Sequence, residues 1–508
     1  MSSGEKGKNG GCPSQPTRGH RGLRGHRGLK PGACLSCLAQ VTIASLAWCA
    51  PCEIPGSMAA AQSTSAASGS DEVIEEVSIE KDGGPILLRV RVRPGLAKPS
   101  LAKAEVYTML LDTGASDCCF DVSHRELLGE PVRQFASAEP SVPTTDAFEA
   151  PVMQLGRLDL RPVEVDRCGN VRVRPGTVLC QDLGWLTELV GQKVDGLLGM
   201  DVLRAWPVSI DFDEGRLRFQ RRAGHEAGHP IPVTWRGGYG SPRPYVAAQF
   251  EPGADVEILV DTGGITNCSG ALPPRIYDRL HERGALVPAV RSDFSWMRGP
   301  LVSRTGRQEV SVARARSFSL GCFSHNDVIF SQHPRVPVLG LGYLCRYFIT
   351  FDFANSVIYL RPGRAFSRRD VCYDLTSLAV SRTDAGIVVE SVAPGGRAAA
   401  AGIKAGDMLL AVNGRSTSQL TLFAIRRILA IETRQVVDIR RDRKDETLLL
   451  LDATAECERV FGAPPGEETS GATRWADKVR GIGVNSGSDK PDKGVRPVDP
   501  PHGRVEER

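Results

Sequence analysis

Two short stretches of this 508-residue chain carry an aspartate out of an apolar run and into a small-residue turn. The first is LLDTGASD, which contains Asp112, and the second is ILVDTGGITN, which contains Asp261, 149 residues further on. One such motif means little, because Asp, Thr and Gly are common turn residues. Two carboxylates held a few ångströms apart would share one proton near their working pH, because both cannot ionise cheaply. One would then activate a water as a base while the other protonated a carbonyl oxygen.

The residues around the two aspartates repeat as well. Strand-like runs lead into each motif: PILLRVRV and AEVYTMLL before the first, PYVAAQF and DVEILV before the second. After each motif comes an apolar-apolar-Gly segment, which ends at Gly199 or Gly340, and then a short helix-like piece and two strands. The sequence therefore predicts a duplicated, mainly β unit of about 140 residues, with the aspartates at equivalent positions.

This duplicated pattern resembles the aspartic peptidases, in which each of two lobes contributes an Asp-Thr-Gly loop and an apolar-apolar-Gly segment beside it. The resemblance covers about 86–360, and LLDTGA is similar to the retropepsin-like single-lobe enzymes, here with both lobes fused in one chain. It implies a bilobal acid-protease fold and an aspartic endopeptidase that cleaves protein or peptide substrates without a cofactor. The implied catalytic residues are Asp112 and Asp261.

The resemblance also implies roles for the neighbours of the aspartates. Glycines let backbone amides approach the carboxylates, threonines hydrogen-bond across the lobe junction, and two further glycines pack behind the pair. The family often has Ser or Thr after the loop glycine, whereas this chain has Ala115 and Gly264. Without that hydroxyl the dyad pKa values are expected to be higher, which predicts activity at mildly acidic or near-neutral pH. The supporting residues are Thr113, Gly114, Thr262 and Gly263 in the loops, and Gly199 and Gly340 behind them.

The segment that would cover a bound substrate departs from the family pattern. The expected flap of the first lobe lies within 133–152, which contains neither Tyr nor Trp. A hairpin of the second lobe, SWMRGPLVSRTG, would supply Trp296 instead. The alternative to an enzyme is a catalytically inactive relic of the fold that binds peptides through another module.

That other module begins after Leu360. GIVVESVAPGGRAAAAGIKAGDMLLAVNGRS resembles a PDZ domain of the bacterial processing-protease type, a small α+β domain that we place at 373–452. PDZ domains add an extended peptide end as a strand to their own sheet. The resemblance implies that the peptide lies beside GIVVESV, with its carboxylate near 383–386 and its side chains in an apolar groove. The predicted peptide-binding residues are Gly386, Ile387, Val388 and Leu420, with Phe423 and Ile425 on the groove helix.

Two patterns fit zinc on spacing alone. GHEAGHP contains H-E-x-x-H, with His225, Glu226 and His229, a motif that binds zinc only where a helix places both histidines on one face. Its glycines and Pro230 disfavour a helix. A second set consists of two C-x2-C pairs separated by residues typical of an apolar helix. We predict no metal and no other cofactor, and a zinc peptidase stays the rival that chelation would reveal. The four cysteines are Cys34, Cys37, Cys49 and Cys52.

Composition describes a multidomain globular protein. Hydrophobic residues make up 41% of the chain, and 63 basic against 59 acidic residues leave a net charge of only +4, which argues against a nucleic-acid partner. The predicted organisation is a disordered basic N-terminus at 1–80, lobe 1 at 81–222, a linker at 223–240, lobe 2 at 241–364, the PDZ domain at 373–452 and a disordered tail at 458–508.

The N-terminal segment indicates the cellular location of the protein. A basic repeat, GHRGLR then GHRGLK, precedes an uncharged apolar stretch at 31–52, and small residues follow. Basic, apolar and small segments in this order are typical of an export signal or a signal anchor. We therefore expect a periplasmic or extracellular protein, with membrane attachment only if 31–52 is an uncleaved anchor. A start at Met58 would remove the signal and predict a cytoplasmic protein.

Overall fold

The computed structural model describes 15 stretches of the chain. They are mainly β, which confirms the predicted fold class at this level, and they contain the strands and helices named below. The described residues are 73–93, 104–135, 145–165, 171–173, 176–223, 228–237, 242–251, 253–265, 268–288, 311–326, 328–332, 336–368, 370, 378–431 and 434–451.

The first repeat, 73–223, is built on a nine-stranded sheet. Its helices are α1 (Arg125–Leu128), α2 (Gly184–Val190) and α3 (Met200–Leu203). Its strands are β1 (Val73–Ser78), β2 (Leu87–Arg93), β3 (Glu105–Leu111), β4 (Cys119–Asp121), β5 (Arg133–Phe135), β6 (Thr145–Glu149), β7 (Val152–Leu155), β8 (Leu158–Leu160), β9 (Val163–Val165), β10 (Val171–Val173), β11 (Thr177–Gln181), β12 (Gly196–Leu198), β13 (Val208–Asp211) and β14 (Arg216–Gln220).

The second repeat, 228–370, has a ten-stranded sheet. Its helices are α4 (Pro274–Glu282) and α5 (Leu341–Leu344). Its strands are β15 (His229–Pro232), β16 (Thr234–Arg236), β17 (Arg243–Gln249), β18 (Asp255–Val260), β19 (Gly270–Leu272), β20 (Leu286–Pro288), β21 (Val312–Ala315), β22 (Phe318–Leu320), β23 (Phe323–His325), β24 (Val328–Gln332), β25 (Val338–Leu339), β26 (Tyr347–Asp352) and β27 (Val357–Pro362).

The two large sheets share one topology. The first runs β5-β6-β11-β4-β12-β3-β2-β7-β8, and the second runs β20-β21-β24-β19-β25-β18-β17-β22-β23, with β16 added beside β17. Each strand of the first order has its counterpart at the same place in the second. In both, the strand that ends at the aspartate, β3 or β18, pairs parallel with the strand that ends just before the glycine, β12 or β25. The sequence repeat is therefore a structural repeat.

A third sheet joins the repeats. Its order is β1-β14-β13-β26-β27-β15, so that each repeat supplies three strands and β13 pairs with β26 at the centre. Ile210 faces Ile349 across this junction, and neither exposes any surface. One apolar cluster runs from the first repeat into the second. Burying this shared surface holds the two repeats together, since apolar burial contributes roughly 25 cal/mol per Å².

Two predicted boundaries are wrong. The segment Val73–Ser78, assigned to a disordered N-terminus, is a strand along the edge of β14. The predicted linker at 223–240 contains β15, which lies beside β27 as β1 lies beside β14. It also contains β16, where the Trp235 indole N–H donates to Ser356 Oγ at 2.9 Å. The partners of β1 and β15 are distant in sequence, so local patterns could not reveal these two strands.

The C-terminal module has its own sheet and core. Its strand order is β28-β29-β30-β32-β33, with β31 beside β30, and its apolar cluster is separate from that of the repeats. Its elements are β28 (Leu378–Thr383), β29 (Gly386–Val392), β30 (Met408–Val412), β31 (Arg415–Ser416), β32 (Arg434–Arg441), β33 (Lys444–Leu451), α6 (Arg397–Ala400) and α7 (Leu422–Ile431).

Several predictions concern parts of the chain outside the described residues. These are the basic segment and apolar stretch within 1–72, including the four cysteines of the C-x2-C pairs, and the tail at 458–508. Within the described ranges, none of the helices has the length and apolar character needed to span a bilayer.

Candidate active site

The two Asp-Thr-Gly loops meet, and their threonines exchange hydrogen bonds. The N–H of Thr113 donates to Thr262 Oγ1 at 3.0 Å, and the N–H of Thr262 donates to Thr113 Oγ1, also at 3.0 Å. Each hydroxyl then donates to the opposite strand, Thr113 to the Val260 carbonyl at 2.7 Å and Thr262 to the Leu111 carbonyl at 2.9 Å. Both threonines are buried. Four reciprocal bonds therefore fix the position of one loop relative to the other.

The aspartates lie together at this junction, joined by a side-chain hydrogen bond. Asp112 Oδ1 accepts the N–H groups of Gly114 at 2.8 Å and Ala115 at 3.0 Å. Asp261 Oδ1 accepts the N–H of Gly263 at 2.8 Å. The turn after each aspartate thus folds its own amides onto the carboxylate.

The glycines of the loops leave no room for a side chain. A Cβ placed on Gly114 would lie 2.5 Å from the carboxyl carbon of Asp261, and one placed on Gly263 would lie 2.3 Å from that of Asp112. Each carboxylate therefore packs directly against the glycine of the opposite loop. Glycine is required at both positions because any other residue would push the loops apart.

The segments that follow β12 and β25 support the loops from behind. The backbone N–H groups of Asp112 and Asp261 donate to the last residues of these strands, at 2.9 and 3.0 Å. A Cβ on Gly199 would lie 2.5 Å from the carbonyl carbon of Asp117, and one on Gly340 would lie 2.4 Å from the Gly264 oxygen. The two glycines thus allow the backbone segments to touch.

Burial raises the pKa of both aspartates. For Asp261, the negative charge of Asp112 raises the pKa further, to well above its usual range. For Asp112, hydrogen bonds from Asp261 and from two loop amides, together with the positive charge of Arg243, counteract the effect of burial. The pair therefore retains one proton at mildly acidic pH, with Asp112 as the more readily ionised member.

A third carboxylate, which the sequence reading missed, lies behind the Asp112 loop. Asp201 is the second residue of α3 and is 4% exposed, and burial raises its pKa to about 7. Its Oδ1 accepts the N–H groups of Cys118 and Val202, both at 3.0 Å. Its Oδ2 is buried without a partner among the described residues. Asp201 therefore links the segment after Gly199 to the Asp112 loop.

Other predicted residues are only partly described. The flap segment 133–152 contributes β5 and β6, which pair antiparallel, whereas 136–144 and the hairpin with Trp296 lie outside the described residues. In the H-E-x-x-H stretch, His229 belongs to a strand, and His225 and Glu226 lie outside the described residues. Where the structure is described, no three His, Cys, Asp or Glu side chains are grouped to hold a metal ion.

The predicted peptide-binding strand of the C-terminal module is wrong. Gly386, Ile387 and Val388 belong to β29, which pairs with β28 on one side and β30 on the other, so no peptide strand can be added there. The segment 383–386 is the tight turn between β28 and β29. Leu420 is in the core of the module. The strand at the edge of this sheet, beside α7, is β28.

Helix α7 faces the first repeat as well as β28. Arg426 donates from Nη1 to the Leu189 carbonyl at the end of α2, at 2.8 Å, and from Nη2 to the Val380 carbonyl of β28, at 3.0 Å. Arg427 forms an ion pair with Asp82. Helix α7, strand β28 and the first repeat are thus joined through one guanidinium group.

The comparisons with known proteins identify the C-terminal module. Residues 374–444 match the PDZ domain family, and this module is a PDZ domain. Among solved structures, the chain is similar to the HtrA3 PDZ domain bound to a phage-derived ligand (FGRWV). The identity is 26% over 14% of this chain, and the TM-score is 0.13. The chain spans 65% of the length of that structure. No curated protein matches the chain.

The hydrogen bonds exchanged between Thr113 and Thr262 lead to the first prediction. Thr113→Val leaves the Thr262 N–H and the Val260 carbonyl buried without partners, at a cost of about 1–3 kcal/mol each. We expect the free energy of unfolding to fall by roughly 2–5 kcal/mol, measured by urea denaturation of the full chain. Thr113→Ser keeps the hydroxyl and is the control. Equal stability of the two variants would contradict the role of these hydrogen bonds.

The second prediction concerns Asp201. Its pKa of about 7 in the folded protein exceeds the value of about 3.9 of an unfolded chain. Its contribution to stability is therefore greatest below about pH 4 and is lost as the pH rises through about 7, by an amount on the order of a few kcal/mol. Asp201→Asn is expected to flatten the pH dependence of the unfolding free energy between about pH 4 and 8. The exposed Asp159→Asn is the control, and unchanged pH dependence in the Asp201 variant would refute the prediction.

Proposed function

We propose that the chain is an aspartic-type endopeptidase in which Asp112 and Asp261 activate a water molecule for attack on a peptide bond. The observation that carries this proposal is the mutual approach of two Asp-Thr-Gly loops, each with its carboxylate against the glycine of the other. A closely spaced, half-buried pair that shares one proton supplies a base and an acid at the same place. No metal or organic cofactor is needed for this chemistry.

The surroundings of the pair support a catalytic role over a structural one. Two half-buried carboxylates side by side destabilise a fold, because each loses part of its hydration and repels the other. Groups with strongly shifted pKa values at such a cost are typical of active sites.

The PDZ domain is proposed to bind a peptide segment of a substrate or partner. PDZ domains bind extended peptides by adding them to a sheet edge, and the edge next to α7 is β28. Because Arg426 already donates to the Val380 carbonyl on that edge, an incoming peptide strand would have to displace it. A catalytically inactive protein that binds peptides only through this groove is the second candidate, favoured by the PDZ match.

The third prediction tests catalysis. Denatured casein incubated with the full chain is expected to be cleaved at mildly acidic to near-neutral pH, since burial raises both dyad pKa values. Activity is expected to fall at low pH as Asp112 becomes protonated, and at high pH as Asp261 loses its proton. Asp112→Ala and Asp261→Ala are each expected to reduce kcat/KM by roughly 100-fold or more.

Controls separate this mechanism from its rivals. Asp159→Asn removes an exposed carboxylate and is expected to leave kcat/KM unchanged. A statine-type inhibitor is expected to block cleavage, and a chelator is not. Cleavage that persists in both alanine variants would eliminate the dyad, and a pH profile confined below about pH 3 would contradict the raised pKa values.

The fourth prediction tests the PDZ groove. Peptides with free carboxyl ends are selected by phage display on the full chain, and the dissociation constant of the best one is measured by fluorescence polarisation. Arg426→Ala removes a competing donor from the β28 edge, so the dissociation constant is expected to fall by roughly 2- to 10-fold. Arg440→Ala, on the β32–β33 hairpin, is the control. Equal or weaker binding by the Arg426 variant would show that the peptide does not add to this edge.

A further inference from the structure

We propose that Arg243 decides which aspartate of the pair is ionised, by holding Asp112 as the anion and leaving the shared proton on Asp261. The inference rests on the proposed function and assigns catalytic roles to two aspartates that stand at matching positions of the duplicated loops. Arg243 acts through the loop it contacts and is therefore a positioning residue.

The placement of Arg243 crosses the junction between the repeats. Arg243 is the first residue of β17 in the second repeat, and its Nη1 donates to the carbonyl of Gly114 in the first repeat, at 3.5 Å. Gly114 is the residue whose N–H donates to Asp112 Oδ1. A cation from one repeat thus lies against the loop that carries the aspartate of the other.

The backbone donors already differ slightly between the two aspartates. Asp112 Oδ1 accepts the N–H groups of Gly114 and Ala115 at 2.8 and 3.0 Å, whereas Asp261 Oδ1 accepts the N–H of Gly263 at 2.8 Å. All of these donors are neutral amides at matching positions of the two loops. A charged group that the duplication did not copy would separate the two aspartates further.

Arg243 is such a group. Leu87 pairs with Leu110, two residues before the first aspartate, as Tyr245 pairs with Leu259 before the second. The position two residues before Tyr245 is therefore equivalent to Pro85 of the first repeat. Proline carries no charge, so the cation is present on one side only.

No other charge near Asp112 has the same effect. The groups that face it among the described residues are Asp261, Arg243 and Cys119. Burial raises the pKa of the Cys119 thiol, which is therefore neutral at working pH. The Nε of Arg243 is buried with no hydrogen-bond partner among the described residues. Within the described part of the chain, no ion pair neutralises its charge.

The assignment fixes the path of the protons. Water loses a proton to Asp112 as its oxygen bonds to the scissile carbon, and Asp261 gives its proton to the carbonyl oxygen. When the carbon–nitrogen bond breaks, the leaving nitrogen takes the proton from Asp112, and one hydroxyl of the intermediate returns a proton to Asp261 as the carbonyl re-forms. The pair is then in its starting state, with one water consumed.

The test is the pH profile of kcat/KM for casein-derived peptide cleavage by the full chain. Arg243→Gln removes the charge, and the acidic limb, which reports protonation of Asp112, is expected to move up by roughly 0.5–1 pH unit. Arg243→Lys keeps the charge and is expected to restore the wild-type limb. Arg236→Gln, on the strand position directly opposite Arg243, removes a cation that is paired with Glu257 and is expected to leave the limb in place.

A second variant and a second readout keep the test decisive. Arg243→Met retains the aliphatic stem and replaces the glutamine variant if the latter does not fold. The pH dependence of statine-inhibitor binding reports protonation of the same aspartate without turnover. An unshifted limb in the Gln or Met variant, while Asp112→Ala is inactive, would overturn the role of Arg243 and leave the proposed function intact. Full activity of Asp112→Ala would instead remove the proposed function itself.

Discussion

The reciprocal hydrogen bonds between Thr113 and Thr262 are the interaction on which the rest of the site depends. They satisfy buried backbone and hydroxyl groups of both loops at once. Removing one threonine hydroxyl would leave several buried polar groups without hydrogen-bond partners. With the threonines in register, the glycines that follow must lie against the opposite carboxylates. The separation of the aspartates is therefore set by the backbone of both repeats, not by their own rotamers.

The duplication gives two repeats with the same fold, and a few residues make the surroundings of the two aspartates different. The two large sheets share their strand order, and three strands from each repeat form the joining sheet. Against this symmetry, Arg243 stands where the first repeat has Pro85, and Asp201 stands where the second has Gly342. Gly342 leaves no room for a carboxylate, because a Cβ there would lie 2.6 Å from the Cys268 carbonyl. Such differences can give two equivalent aspartates different tasks.

The PDZ domain is connected to the repeats through α7. Arg426 contacts both the edge strand and α2, and Arg427 pairs with Asp82. A cleft between the PDZ domain and the two repeats is lined by Phe423, Arg426 and Ile265, among others. Ile265 follows the Asp261 loop. The cleft that borders α7 therefore also borders the residue that follows the Asp261 loop.

The sequence by itself determined the repeat, the paired aspartates with their loop residues, and the PDZ module, because these depend on local motifs and on spacing along the chain. Only the tertiary structure decided which strand of the PDZ sheet is an edge, because β28 and β29 look alike as apolar strands and differ only in their partners. It also decided that β1 and β15 are strands, since each is stabilised by a neighbour far away in sequence. Arg243 and Asp201 were missed for the same reason: their importance comes from what lies next to them in space, and a charged residue at a strand end or after a glycine carries no local signal of that.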